Sequence, residues 1–161
     1  SGYDKKRGAT LPVNVRLLCL LAHPDDESLG EGGTLARYAA EGVETYLVTA
    51  TRGERGRFFE NVRRPPPEEV GRVREAELRA ACEVPGVRPV QFLDYPDGAL
   101  DQVNAAQAAE RIAAHSRRVK PPVVVTFGPD GAYGHPGHIA VSQFTTGAIV
   151  RSADGHAVSK Y

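Results

Sequence analysis

The sequence has no methionine, not even at its first position, and only two cysteines among its 161 residues. A chain that starts without methionine is not expected to be a complete translation product. Cys19 and Cys82 are too sparse for a disulfide framework, and we interpret them as two buried thiols, which suits a reducing cytoplasm. No apolar run approaches the roughly 20 residues that span a bilayer, and no signal peptide precedes the first predicted strand. We therefore expect a cytoplasmic protein.

Neither sign of charge is in excess. Lysine and arginine total 20, aspartate and glutamate total 20, and the formal net charge is zero. Such a chain has no general attraction for nucleic acid or for an anionic membrane. We expect a small-molecule partner and neither nucleic acid nor membrane, and we leave a homo-oligomer open.

The apolar pattern alternates between the strand and the helix period. It predicts strands at 15–22, 43–50, 90–93 and 123–127, and helices at 32–41, 68–82, 102–119 and 137–149. This order indicates an α/β fold, an open, mostly parallel sheet flanked by helices. We expect a flexible leader over 1–10, one domain over 11–161, a long loop at 53–67, and further chain beyond residue 161 in the natural protein.

Two clusters of histidine and aspartate follow two of these strands. Residues 22–27, Ala-His-Pro-Asp-Asp-Glu, come directly after the first strand, and residues 134–138, Gly-His-Pro-Gly-His, come shortly after the strand at 123–127. In open parallel sheets the active site lies beyond the carboxyl ends of the strands, so both clusters fall at the same edge. A catalytic zinc needs three protein ligands and one open position, and the two clusters together supply that number.

Each cluster alone is weak evidence. Asp25, Asp26 and Ser28 could simply cap the helix that follows the first strand. The joint occurrence of the clusters favours a metal site, in which one carboxylate binds metal and its neighbour faces the bound water as a base. Iron or cobalt would suit the same ligands as zinc.

The two clusters resemble the LmbE-like (PIG-L) family of zinc-dependent N-acetylglucosaminyl de-N-acetylases. Secondary matches lie at 30–35 (Gly-Glu-Gly-Gly-Thr-Leu), 51–54 (Thr-Arg-Gly-Glu), 74–78 (Arg-Glu-Ala-Glu-Leu) and 94–98 (Asp-Tyr-Pro-Asp-Gly). The resemblance runs from about residue 15 to about residue 150. It implies a Rossmann-like sheet, a Zn²⁺ cofactor and an N-acetylated amino-sugar substrate.

The resemblance also implies roles for individual residues. His23, Asp26 and His138 would be the zinc ligands. Asp25 would be the general base that deprotonates the zinc-bound water. His135 would be the cationic partner that stabilises the tetrahedral oxyanion or protonates the departing amine.

One position departs from the family. The family usually has aspartate between the two late histidines, and this chain has Gly137. Without that carboxylate the charge and tautomer of His135 are less secured, since a nearby carboxylate favours the charged imidazole. We expect the metal site to survive and the catalytic power to be the property at risk.

Three further residues are candidates for substrate contact: Arg52, Tyr133 and Asp97. Each has a structural alternative: an ion pair with Glu54 for Arg52, packing on the rim for Tyr133, and a Tyr-Pro-Asp-Gly turn for Asp97. We interpret Glu27 as a residue that contacts a metal ligand, not the metal itself, rather than as a helix cap.

The sequence therefore predicts a zinc-dependent hydrolase that removes an N-acetyl group from an N-acetylglucosamine-type sugar conjugate. Two alternatives stay open. One is a thiol S-conjugate amidase of the same family. The other is a zinc-containing sugar-binding domain with little catalysis, because Gly137 replaces the usual aspartate.

Overall fold

Four parallel strands form the sheet, in the order β3-β2-β1-β4. The computed structural model describes residues 15–26, 32–56, 63–83 and 87–161. The strands are β1 Arg16–Leu21, β2 Glu44–Thr49, β3 Gln91–Phe92 and β4 Val123–Val125. The helices are α1 Gly32–Ala40, α2 Pro67–Ala81, α3 Ala105–Val119, α4 Gly131–Gly134 and α5 Pro136–Ser152, and a 3-10 turn covers Leu100–Gln102. The predicted α/β fold with a parallel sheet is confirmed.

The first strand lies inside the sheet, between β2 and β4. It pairs with β2 from Arg16 opposite Glu44 to Leu21 opposite Thr49, and with β4 from Leu17 opposite Val123. The chain therefore moves to one side of β1 first and crosses to the other side later. The crevice at such a reversal, outside the carboxyl ends of the strands, is where ligands bind in open α/β sheets. The segments that follow β1 and β4 meet at this point.

Because β1 is covered on both faces, its side chains from Leu17 to Leu21 are apolar without alternation. Leu18 and Leu20 pack on one face, in a core that includes Ile112 of α3 and Phe144 of α5. The opposite face carries the rest of the core, with Leu35 of α1 and Leu78 of α2. Cys19 is completely buried in this second core, and Cys82 is only partly buried against it.

Some predicted bounds shift by a few residues. The helix predicted at 102–119 begins at Ala105, because the side chain of Asn104 accepts a hydrogen bond from the Gln107 N–H at 3.0 Å and caps it. Near the end of the chain, Lys160 forms an isolated parallel bridge with Val123. The predicted leader, Glu27, Ser28 and residues 57–62 of the predicted loop lie outside the described residues.

None of the helices in the described ranges is both long enough and apolar enough to cross a lipid bilayer.

Candidate metal and active site

The segment after β1 directs two adjacent carboxylates to different places. Asp26 turns back over the end of the strand, where its Oδ2 accepts hydrogen bonds from the N–H groups of Ala22 at 3.2 Å and His23 at 2.8 Å. Asp25 has a left-handed backbone, with φ of +90°, and its side chain is 55% exposed against 10% for Asp26. One carboxylate is therefore held inside the protein and the other is exposed.

The segment after β4 fixes a buried histidine from two sides. The ring of His138 stacks on Phe127, with centroids 3.8 Å apart and planes 4° apart. Its Nδ1 lies 3.3 Å from the carbonyl oxygen of Gly131, which places the ring proton on Nδ1. Gly131 has φ of +66° and no room for a Cβ against Ile139 and His138, so glycine is required there.

This tautomer leaves the Nε2 atom of His138 as a lone-pair acceptor inside the protein. The atom is buried and has no hydrogen-bond partner among the described residues. It faces the Oδ1 atom of Asp26 at 3.3 Å, and the second oxygen of the same carboxylate lies 3.5 Å from Nδ1 of His23. Two acceptors that face each other in a buried place repel unless a cation lies between them.

These separations suit a metal ion. Ligand atoms 2.0–2.2 Å from a tetrahedral zinc lie about 3.4 Å from each other. The donor set of two imidazoles and one carboxylate is one that zinc accepts. The structure therefore brings together His23, Asp26 and His138, the three residues predicted as ligands, with each histidine facing a different oxygen of the Asp26 carboxylate.

A third histidine lies beside this group. One ring nitrogen from each of His23, His135 and His138 falls within 4.8 Å of the others, so these three could also hold a metal. The ring of His135 is oriented by the backbone: its Nδ1 accepts a hydrogen bond from the Gly137 N–H at 3.1 Å and caps α5. Its Nε2 is the nitrogen left for a substrate or an ion.

The charges of the site are coupled. Burial alone lowers the pKa of His23, but hydrogen bonds with Asp26 and Asp97 outweigh it and raise the pKa to about 9. Burial alone raises the pKa of Asp26, but the hydrogen bond with His23 outweighs it and the pKa falls below its usual value. Burial lowers the pKa of His138, although the charge of Asp26 acts in the opposite direction. Without a metal, a proton on His23 supplies the positive charge that the carboxylates need.

A cavity of about 760 Å³ opens beside these groups. Asp25, Tyr133 and His135 line it, as do His23, Asp26 and Asp97. Tyr133 is 76% exposed and its ring edge lies over His138, with centroids 5.4 Å apart, so it stands at the rim. A sugar-sized ligand can therefore reach the predicted metal ligands from solvent.

Arg74 of α2 also lines this cavity; it belongs to the secondary match at 74–78, but the sequence assigned it no role. Its guanidinium lies 2.5 Å from Asp25 Oδ2, and it donates to the carbonyl oxygens of Pro24 and Gly53, both at 2.7 Å. It ties the loop after β1 to the loop after β2. The signal was present in part, because Arg74 lies four residues after the buried Val70 on the inner side of the predicted helix.

Arg52 does not line this cavity. It forms ion pairs with Glu75, at 2.6 Å, and with Asp94, and its guanidinium stacks over Phe92 at 4.7 Å. Glu54, its expected alternative partner, instead accepts the Asp97 N–H at 2.7 Å. The substrate contact predicted for Arg52 therefore requires these pairs to open.

The family follows from the match of residues 18–149 to PIG-L, described as GlcNAc-PI de-N-acetylase. This chain belongs to the PIG-L family. The predicted resemblance is thus confirmed over most of the domain.

Relatives of this PIG-L domain are named as deacetylases. The chain is 40% identical over 164 residues to 1D-myo-inositol 2-acetamido-2-deoxy-α-D-glucopyranoside deacetylase of Actinosynnema mirum, covering 89% of this chain and 58% of that protein. It spans about half the length of the curated relatives that it matches.

Solved structures share the fold. N,N'-diacetylchitobiose deacetylase from Pyrococcus horikoshii matches with a TM-score of 0.70 and 25% identity, covering 84% of this chain and 49% of that chain. GalB, the 4-carboxy-2-hydroxymuconate hydratase from Pseudomonas putida, matches with a TM-score of 0.74 and 25% identity, covering 84% of this chain and 56% of that chain. A hydratase with this fold means that the fold alone does not decide the reaction.

Proposed function

We propose that this PIG-L domain carries the catalytic centre of a cytoplasmic, zinc-dependent de-N-acetylase that acts on a small N-acetylglucosamine-type sugar conjugate. The observation that carries the proposal is the buried Nε2 of His138, which lies 3.3 Å from a carboxylate oxygen of Asp26 and has no hydrogen-bond partner among the described residues. A cation between His138 Nε2 and the Asp26 oxygen would bind both atoms. It would lie beside an open cavity that the carboxylate of Asp25 also lines.

His23, Asp26 and His138 would hold the ion. When bound, zinc supplies Lewis acidity, which polarises an amide carbonyl and makes water a stronger acid near neutral pH. His135 is the alternative third nitrogen ligand. We assign it to the substrate, because Asp26 lies within 3.5 Å of both other histidines and completes the set without it.

The proposed reaction is hydrolysis of the acetamide. Water adds to the carbonyl carbon, the carbon–nitrogen bond breaks, and acetate and a free amine leave. Asp25 accepts the proton that the water loses and returns it to the departing nitrogen, since its carboxylate lines the cavity beside Asp26. Arg74 holds this carboxylate and the backbone at Pro24, so the base keeps one position.

His135 would stabilise the oxyanion. Its Nδ1 already accepts the Gly137 N–H, so the neutral ring carries its proton on Nε2 and donates it as a hydrogen bond to the substrate oxygen. A positioned donor of this kind is typically worth about 3 kcal/mol of barrier. This differs from the cationic role expected from sequence, because a protonated Nδ1 could not accept that bond.

The Actinosynnema and Pyrococcus deacetylases are both named for acetylated amino sugars. We extend that substrate class to this chain. Tyr133 at the rim is the proposed contact with the sugar or its aglycone.

The test is acetate release from an N-acetylglucosamine conjugate by the purified, zinc-loaded protein. Stoichiometric release of acetate and amine supports the proposal. Cleavage of a thiol S-conjugate without acetate would indicate the amidase instead. Stoichiometric zinc with no release from either substrate would contradict hydrolysis.

A zinc-containing sugar-binding domain is the second candidate, and Gly137 favours it. A Cβ at this position would lie 3.2 Å from ring atoms of both His135 and His23, so aspartate would enter only with a small shift of the rings. If the chain binds sugar without turnover, Gly137→Asp should create acetate release, and Gly137→Ala is the matched control. Turnover in the wild type would exclude this candidate.

A further inference from the structure

We infer that Asp97 is a positioning residue that orients His23 toward the metal, rather than a contact for the sugar. This inference rests on the proposed metal site but not on the identity of the substrate. Asp97 Oδ1 lies 3.2 Å from Nε2 of His23, and both residues are buried, at 8% and 9% exposure.

The contact with Asp97 determines which nitrogen of His23 binds the metal and which carries the proton. Nδ1 faces Asp26, so a metal held by Asp26 takes Nδ1, and the proton must then lie on Nε2. Asp97 accepts that proton in a hydrogen bond. A carboxylate on the far nitrogen of a metal-bound histidine fixes the ring and makes it a better ligand.

A turn alone does not account for Asp97. Gly98, with φ of +76°, forms the turn that brings the side chain inward, but a turn needs no buried carboxylate. Burying an ionised carboxylate is costly unless its oxygens are paired. Here Oδ1 pairs with His23, and Oδ2 accepts the Arg55 N–H at 2.9 Å.

The neighbouring loops hold Asp97 in place. Its own N–H donates to Glu54 Oε1 at 2.7 Å, and Glu54 follows β2 while Asp97 follows β3. The three residues Glu54, Asp97 and His23 thus form a row across the carboxyl ends of three neighbouring strands. A sugar hydroxyl could reach Asp97 only in competition with two bonds that the protein already makes.

The experiment measures zinc affinity by competition with a chelator, without substrate. Asp97→Ala should weaken zinc binding by about 10- to 100-fold, the usual effect of losing such a partner. Asp97→Asn keeps an acceptor oxygen but loses the charge, so its zinc affinity should lie between those of the wild type and Asp97→Ala. Asp101→Ala, an exposed aspartate in the 3-10 turn that follows, is the matched control and should bind zinc like the wild type.

A second readout follows the proton itself. In the zinc-loaded wild type, nitrogen-15 NMR should show one protected Nε2–H signal from His23, and Asp97→Asn should shift it or lose its protection. If Asp97→Ala does not fold, Asp97→Asn decides the question by both readouts.

Unchanged zinc affinity in the variants, with a raised KM for the sugar conjugate, would overturn the inference and restore Asp97 as a sugar contact. A wild type that binds zinc through this pair but releases no acetate would overturn the proposed activity and leave the inference intact. A wild type that binds no zinc would overturn both.

Discussion

Two clusters of charged residues lie at the carboxyl edge of the same sheet and differ in one respect. The guanidinium of Arg52 is paired: Glu75 and Asp94 accept hydrogen bonds from it, and Arg79 binds the other oxygen of Glu75. Around His138, two acceptors face each other, and the buried Nε2 has no hydrogen-bond partner in the part of the chain that the structure describes. Charged groups that are paired with one another stabilise the fold and need no ligand. Buried acceptors beside a cavity that lack a donor indicate a binding site for a ligand.

The comparison is tested most directly by removing the imidazole of His138, whose Nε2 is the acceptor without a donor. His138→Ala should abolish stoichiometric zinc binding, with a loss of at least about 100-fold in affinity, which exceeds the usual effect of residues outside the ligand set. Metal content after dialysis measures it. His115→Ala, on α3 with its ring against Arg118, is the matched control and should keep one zinc. Full zinc content in His138→Ala would remove this residue from the site.

The second prediction separates metal binding from catalysis. Asp25→Asn should lower kcat by about 1,000-fold, because the base is lost, while one zinc stays bound. Asparagine tolerates the left-handed backbone of this position, so the fold should not change. Asp101→Asn serves as the control in acetate release. Activity near that of the wild type would exclude Asp25 as the base.

The structure also explains why the cluster around His138 was predictable from the sequence and the cluster around Arg52 was not. Parallel strands end at one edge, so two motifs that follow β1 and β4 had to meet, although more than one hundred residues separate them. The continuous apolar run of β1 likewise identified an inner strand. Such inferences use only chain direction and periodicity.

Contacts between side chains of different loops carried no such signal. The pairing of Arg52 with Asp94 and Glu75, the reach of Arg74 to Asp25, and the contact of Asp97 with His23 depend on loop paths that periodicity does not determine. The start of α3 was misplaced for a local reason, because Asn104 was not recognised as its cap.

A third prediction concerns the proton that His23 carries when no metal is bound. The pKa of His23 is about 9 in the metal-free protein, so the ring is protonated at pH 7 and must lose its proton when zinc binds. Zinc affinity should therefore rise about tenfold per pH unit from pH 7 toward pH 9 and then level off. Calorimetry in buffers of different ionisation enthalpy should give about one proton released per zinc at pH 7. A heat that is the same in every buffer would contradict this exchange.

The smallest expected effect lies in the paired cluster. Arg52→Gln removes ion pairs that are partly exposed, with 35% of the arginine side chain accessible, and such pairs are typically worth up to about 1 kcal/mol. We expect a loss of that size in the free energy of unfolding in urea, with zinc content and kcat unchanged. Arg37→Gln, which loses an exposed pair between α1 and Glu41, is the control for a surface ion pair. If Arg52→Gln instead raises KM severalfold at unchanged stability, then the paired cluster opens for substrate, and the distinction between scaffold and site no longer holds at this edge of the sheet.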